Sequence, residues 1–306
     1  MRNWGKLVIA ALALLATPAL AQRPPSNEEL ADKGYVVDGG HQASWYYAQH
    51  KKLDAAIAAL KPQRPGIVDA YVIAVGLDAD AVFGREAAEA SRVLSHRFDG
   101  DGRTLLLAAG GGAADPKVAY GSPQNLAVAL GAVAAVMDVK EDVLIFYSTS
   151  HGAPKIGLAY QDGDSGNGLI SPKHLKEMFD GFGISRRMVI LSACYAGQFV
   201  PALDNGSSVI ITAASDSTTS FGCAASNDWT FFGDALINNA MREPIPLVDT
   251  VGKAFGLVSQ WEFMKGLPAS VPQFRIGNKV GEWLTPLEAR MPKDTSAKVG
   301  RPSTAG

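Results

Sequence analysis

Five short apolar runs decide most of what this chain can fold into. They are DAYVIAVG (69–76), TLLLAA (104–109), EDVLIFYS (141–148), MVILSA (188–193) and SVIITA (208–213). Within each run the apolar residues are consecutive rather than alternating with polar ones, so both faces must be buried, as in the strands of a parallel sheet. Helical patterns lie between them. Ala87, Ala88, Ala90, Val93 and Leu94 share one side of a helix after the first run. Ser122-Pro123 and Ser171-Pro172 each place an N-cap before a proline at the first helical position, predicting helices to about Met137 and to Gly181. Two more helices are predicted over roughly 228–241 and 246–265. Val271 to Ile276 is a candidate last strand, broken at its start by Pro272. Strands alternating with helices predict an α/β fold, a mostly parallel central sheet with helices on both faces.

The flanks read differently. Arg2 and Lys6, the apolar run Leu7 to Ala16 and the Ala19-Leu20-Ala21 cleavage pattern form a secretory signal peptide over 1–21. The run is too short to span a membrane, so the mature chain is expected to be exported, periplasmic or secreted, with no membrane span. Residues 22–65 form a polar lead-in and one helix, in which Trp45, Ala48, Leu53, Ile57 and Leu60 recur near helical spacing before Pro62 and Pro65 end it. The main domain is expected over 66–290, and the small, polar stretch 291–306 is expected to be disordered. Hydrophobic residues at 47% and charged residues at 19% suit a globular core. A net charge of −2 without a basic block gives no case for nucleic acid. Oligomeric state leaves no trace in the sequence.

Two of the runs end in reactive side chains. The third leads through Thr149-Ser150 to His151-Gly152, and the fourth leads to Cys194-Tyr195-Ala196-Gly197. Open α/β sheets build their sites past the carboxyl ends of their strands. A separation of about 43 residues allows one crossover between adjacent parallel strands, so imidazole and thiol can meet. Such a pair is the minimum for nucleophilic cysteine catalysis. His41, His50, His96 and His174 read as surface residues on or near helices. Cys223 reads either as a buried thiol or as a redox partner of Cys194. Asp162 to Gly168 resembles the start of a calcium loop but has Lys173 where the twelfth-position glutamate belongs, and reads as a glycine-rich turn. Gly110-Gly111-Gly112 lacks the Lys-Ser/Thr of a phosphate loop, G-x-S-x-G is absent, and no histidine and cysteine spacing suits zinc. No cofactor and no metal are expected.

These motifs together resemble the legumain family of cysteine peptidases, which has the caspase-like fold. Thr149-Ser150-His151-Gly152 is similar to its histidine motif and Ser192-Ala193-Cys194-Tyr195-Ala196-Gly197 to its cysteine motif. Ile211-Thr212-Ala213-Ala214 with Thr219-Ser220-Phe221-Gly222-Cys223 resembles the segment lining its specificity pocket, and Thr230-Phe231-Phe232-Gly233-Asp234 the next pocket block. The resemblance covers roughly 66–280 and implies a caspase-like three-layer sandwich. It implies Cys194 as nucleophile, His151 as base, and the backbone N–H groups of Gly152 and Cys194 as oxyanion hole. Arg85, Ser192, Ser220 and Asp234 fall at pocket positions. Animal legumains carry a glutamate where this chain has Ser192, which reduces the pocket's negative charge. The implied function is an exported cysteine endopeptidase acting on peptides or proteins through a thioester, after asparagine or aspartate, with transpeptidation as a side activity. The competing readings are a non-catalytic caspase-like envelope protein that binds peptides or partner chains, and a hydrolase of non-peptide esters or amides.

Overall fold

The computed structural model describes residues 23–110 and 112–305. The expected signal peptide lies outside the described residues. The chain opens with α1 (Asn27–Asp32), β1 (Val36–Asp38) and α2 (Ala43–Ala58), followed by β2 (Ala70–Gly76), α3 (Ala81–Arg97), β3 (Thr104–Ala108) and α4 (Pro123–Val136). Next come β4 (Val143–Thr149), a meander of β5 (Gly152–Ala153), β6 (Gly157–Asp162) and β7 (Gly166–Ile170), then α5 (Pro172–Gly181) and β8 (Arg187–Ser192). The remainder is α6 (Val200–Leu203), β9 (Ser208–Thr212), α7 (Phe231–Gly233), α8 (Leu247–Lys265), β10 (Gln273–Ile276) and α9 (Gly281–Ala289).

The five apolar runs became β2, β3, β4, β8 and β9. They form a six-stranded sheet in the order β10-β9-β8-β4-β2-β3, parallel except for β10 at the edge. All seven residues of β2 and of β4 are buried, which explains the absence of alternation. Successive side chains enter opposite cores. Val72, Ala74, Ile145, Tyr147, Met188 and Ile190 pack with α3, α8 and α9 on one face. Tyr71, Ile73, Val75, Phe146, Val189 and Leu191 pack with α2, α4 and α5 on the other. The three-layer α/β sandwich expected from the sequence is therefore present. The caps are where they were expected: Ser122 Oγ accepts from Asn125 N–H, and Ser171 Oγ from His174 N–H.

Several differences have local causes. The lead-in is structured: Ser26 and Glu29 form a capping box on α1, β1 pairs with β7, and Leu53 of α2 is buried against α4's side of the core. The glycine-rich stretch is the turn between β6 and β7, and with β1 and β5 these strands make a second, antiparallel sheet of four. The helix expected over 228–241 is α7, then π-helical turns over Asp234–Asn239 and a 3-10 turn over Ala240–Arg242. There Asn239 Nδ2 donates to the Asp234 carbonyl at 2.8 Å, a side chain entering the backbone ladder. Among the described residues no helix is long and apolar enough to cross a membrane.

Candidate active site

Strand register brings the two reactive residues to one place. Thr149 of β4 pairs with Ser192 of β8, and Ser150 N–H donates to the Ser192 carbonyl at 3.2 Å, one step beyond the ladder. His151 and Cys194 each stand two residues past that paired row. The His151 carbonyl accepts from Ala159 N–H of β6 and from Ser150 Oγ, both at 2.9 Å, which fixes the backbone that presents the imidazole. The ring is half-exposed, packs edge-on against Phe83 at 5.0 Å, and has Nε2 3.8 Å from Asp80 Oδ2.

Cys194 leaves its strand through a sharp turn. Tyr195 adopts the left-handed conformation at φ 57°, with its N–H bonded to the Thr218 carbonyl at 2.9 Å. Gly152 lies so close to this turn that an added Cβ would sit 1.9 Å from the Cys194 carbonyl oxygen. The glycine is therefore required by close backbone approach.

The loop 215–223 wraps the thiol. Ser220 N–H donates to Cys194 Sγ at 3.3 Å, and the Ser220 hydroxyl and carbonyl oxygens lie at 3.6 Å. Both cysteines are free. A hydrogen bond from the Cys223 thiol lowers Cys194 to about 5, opposed by burial and assisted by the Ser220 hydroxyl and N–H and by the His151 charge. Cys223 moves up for the complementary reason, since it holds its proton toward Cys194 and is buried. The arrangement holds a thiol lowered by its neighbours at one strand end and a half-exposed imidazole at the adjacent strand end.

The residues expected to line the pocket divide into two groups. Ser220 touches the thiol as described. Arg85 Nη2 donates to the carbonyls of Ala225 (2.6 Å) and Asn227, and Arg85 Nε lies 3.6 Å from Asp228 Oδ1. Arg85 and Asp228 line a cavity of about 300 Å³ that also includes Trp229, Val299 and Gly300. Asp234 is fully buried and accepts from Asn238 and Asn239 Nδ2 and from Ser303 N–H, at 2.9, 3.1 and 2.7 Å. The acid facing Arg85 is thus Asp228, and Asp234 anchors the carboxy-terminal segment. Ser192 is buried behind the cysteine turn, its Oγ 3.2 Å from Thr230 Oγ1.

Sequence reasoning missed Glu86. This fully buried carboxylate accepts from Tyr147 Oη at 2.7 Å and from Thr230 N–H at 2.9 Å, bracing the strand and the loop around Ser192. A signal existed: Glu86 shares the i, i+4, i+7 stripe with buried Ala90 and Val93. The segment 291–305, expected to be disordered from composition, is held by polar contacts. Trp229 Nε1 donates to the Val299 carbonyl and Arg301 N–H to Asp228, at 2.9 and 2.7 Å. His41, expected on an exposed helix, stacks on Trp45 at 3.6 Å and bonds Asp162 at 2.6 Å.

Residues 117–280 match the model of the peptidase C13 family, just over half of the chain. No curated protein matches it. Among solved structures it is similar to a secreted C11 cysteine protease from Bacteroides thetaiotaomicron in complex with an irreversible peptide inhibitor. The identity is 13% and the TM-score 0.36, over 63% of this chain and 59% of that one. The chain thus spans less than two thirds of that structure's length.

Proposed function

The chain belongs to the peptidase C13 family, and from that premise we propose that it is a cysteine peptidase using Cys194 and His151. The observation that carries the reading is the thiol itself: Cys194, lowered to about 5, stands at the strand end adjacent to His151. In the proposed reaction the Cys194 thiolate attacks the peptide carbonyl carbon. The resulting oxyanion takes hydrogen bonds from the backbone N–H groups of Gly152 and Cys194, a role favoured by the close approach of these two turns. His151 gives its proton to the leaving amine as the tetrahedral intermediate collapses to a thioester. It then takes a proton from the attacking water, which returns the enzyme to its starting state. An incoming amine in place of water gives ligation, the transpeptidase side activity.

The substrate side chain would be read beside Ser220 and Arg85. Arg85 together with Asp228 offers both charge signs, which suits an amide that presents an acceptor and a donor. Cleavage after asparagine follows, with aspartate as the second choice. Asp234 and Ser192 would support the pocket from behind. The chain would act as an endopeptidase after export.

A thiol-reactive peptide ending in asparagine tests this. Labelling of the native chain that disappears in Cys194→Ala is the expected result. A folded native chain that resists asparagine, aspartate and mixed peptide probes would instead favour the non-catalytic binding reading.

A further inference from the structure

The strand register that aligns His151 and Cys194 carries a third residue into line. Gly76 of β2 pairs with Thr149 of β4, which pairs with Ser192 of β8. Asp78, His151 and Cys194 therefore each stand two residues past one row across three neighbouring strands. Asp80 lies on the same turn as Asp78, and its N–H donates to Asp78 Oδ1 at 2.9 Å. Its Oδ2 is 3.8 Å from His151 Nε2. One ligand atom from each of Asp78, Asp80 and His151 lies within 4.8 Å of the others.

An independent observation distinguishes this group from an ordinary acidic turn. Asp78 is only 4% exposed, and its Oδ2 is buried without a hydrogen-bond donor. A buried carboxylate oxygen without a donor is costly, and a nearby cation relieves that cost.

We propose that Asp78, Asp80 and His151 form a binding site for a divalent transition-metal ion of the zinc type, which withdraws His151 from the dyad. Two carboxylates and one imidazole nitrogen match the ligand preferences of zinc, whereas calcium and magnesium favour oxygen donors alone. Ligands about 2.1 Å from a tetrahedral ion stand about 3.4 Å apart. The 3.8 Å between Asp80 and His151 is close to that spacing, and the half-exposed Asp80 side chain is free to adjust. Three protein ligands leave a position for water. An imidazole whose Nε2 lone pair is bound to metal cannot take up a proton there, so it no longer provides the imidazolium partner of the thiolate. That consequence rests on the proposed dyad; the metal site does not.

Zinc alone is the probe, titrated calorimetrically into the full chain carrying Cys194→Ala, which removes the thiolate as a competing ligand. One ion per chain is expected, with binding weakened roughly a hundredfold in Asp80→Asn, in Asp78→Asn and in His151→Ala. The exposed Asp80 provides the variant least able to disturb folding, checked by an unchanged thermal melt. Absence of saturable binding overturns the proposal. So does binding that survives Asp80→Asn and His151→Ala, or binding by the native chain that vanishes in Cys194→Ala. A second arm follows peptide-probe labelling of native Cys194, expected to fall with zinc and return with chelator. Binding with undiminished labelling overturns the withdrawal of His151. A chain that binds zinc but is never labelled retains the metal site and loses the peptidase reading.

Discussion

The strand ends that hold His151 and Cys194 and the loop region around Arg85 and Asp234 are organised by different forces. At the strand ends, position follows from register: pairing of Thr149 with Ser192 sets both reactive residues two steps beyond the same row. Around Arg85, position follows from long-range polar contacts, such as Arg85 with the carbonyls of Ala225 and Asn227 and Asp234 with Ser303 N–H. The first arrangement is a property of hydrogen-bonded backbone and tolerates side-chain variation. The second depends on individual side chains and on a carboxy-terminal segment that composition alone assigns to disorder. Residue roles therefore transfer from a family motif more safely at a strand end than in a loop-built pocket.

Glu86 joins the two regions, and its loss has the largest expected effect. Glu86→Ala strands the buried Tyr147 hydroxyl and Thr230 N–H, and is expected to lower unfolding free energy by about 3 kcal/mol in urea titrations. A variant as stable as the native chain would break the picture of one braced site. At the strand ends, Gly152→Ala forces a Cβ toward the Cys194 carbonyl oxygen. Turnover of a peptide substrate is expected to fall on the order of a hundredfold, because small misplacements at a reacting centre are costly. Unchanged turnover would show that the two turns can separate freely.

Cys223→Ala removes the neighbour that lowers Cys194 most. The sign follows from the lowered value: Cys194 is mainly thiolate above about pH 5 and thiol below it. Without the Cys223 thiol, the midpoint of Cys194 alkylation by iodoacetamide is expected to move upward in pH. A midpoint that stays at about 5 would transfer the role to Ser220 or His151. The smallest effect sharpens the pocket. Asp228→Asn is expected to raise KM for an asparagine peptide about fivefold, near 1 kcal/mol, whereas Asp234→Asn leaves KM alone and lowers the melting temperature. The reverse pattern would restore Asp234 to the pocket.

Much of this was legible beforehand, for identifiable reasons. The apolar runs announced buried parallel strands because a strand covered on both faces admits few polar side chains. The Ser-Pro caps marked α4 and α5 because an N-cap and a first-turn proline act locally. Glu86 escaped notice because a buried acid is recognised by its partners, Tyr147 and Thr230, which lie far away in sequence. Asp228 stands near the same pocket block as Asp234, and only the fold shows that Asp228 is the acid facing Arg85.

By itself the sequence determined the α/β layering and the strand ends bearing His151 and Cys194. These rest on local periodicity, capping and spacing, which act over a few neighbouring residues. Tertiary structure alone decided that Asp78 joins the same strand-end row, that Ser220 N–H donates to Cys194 Sγ, that Gly152 must lack a side chain beside the Cys194 carbonyl, and that Ser303 closes over Asp234. Each depends on register or contact between segments distant along the chain, and such pairings are set by packing the whole sheet at once.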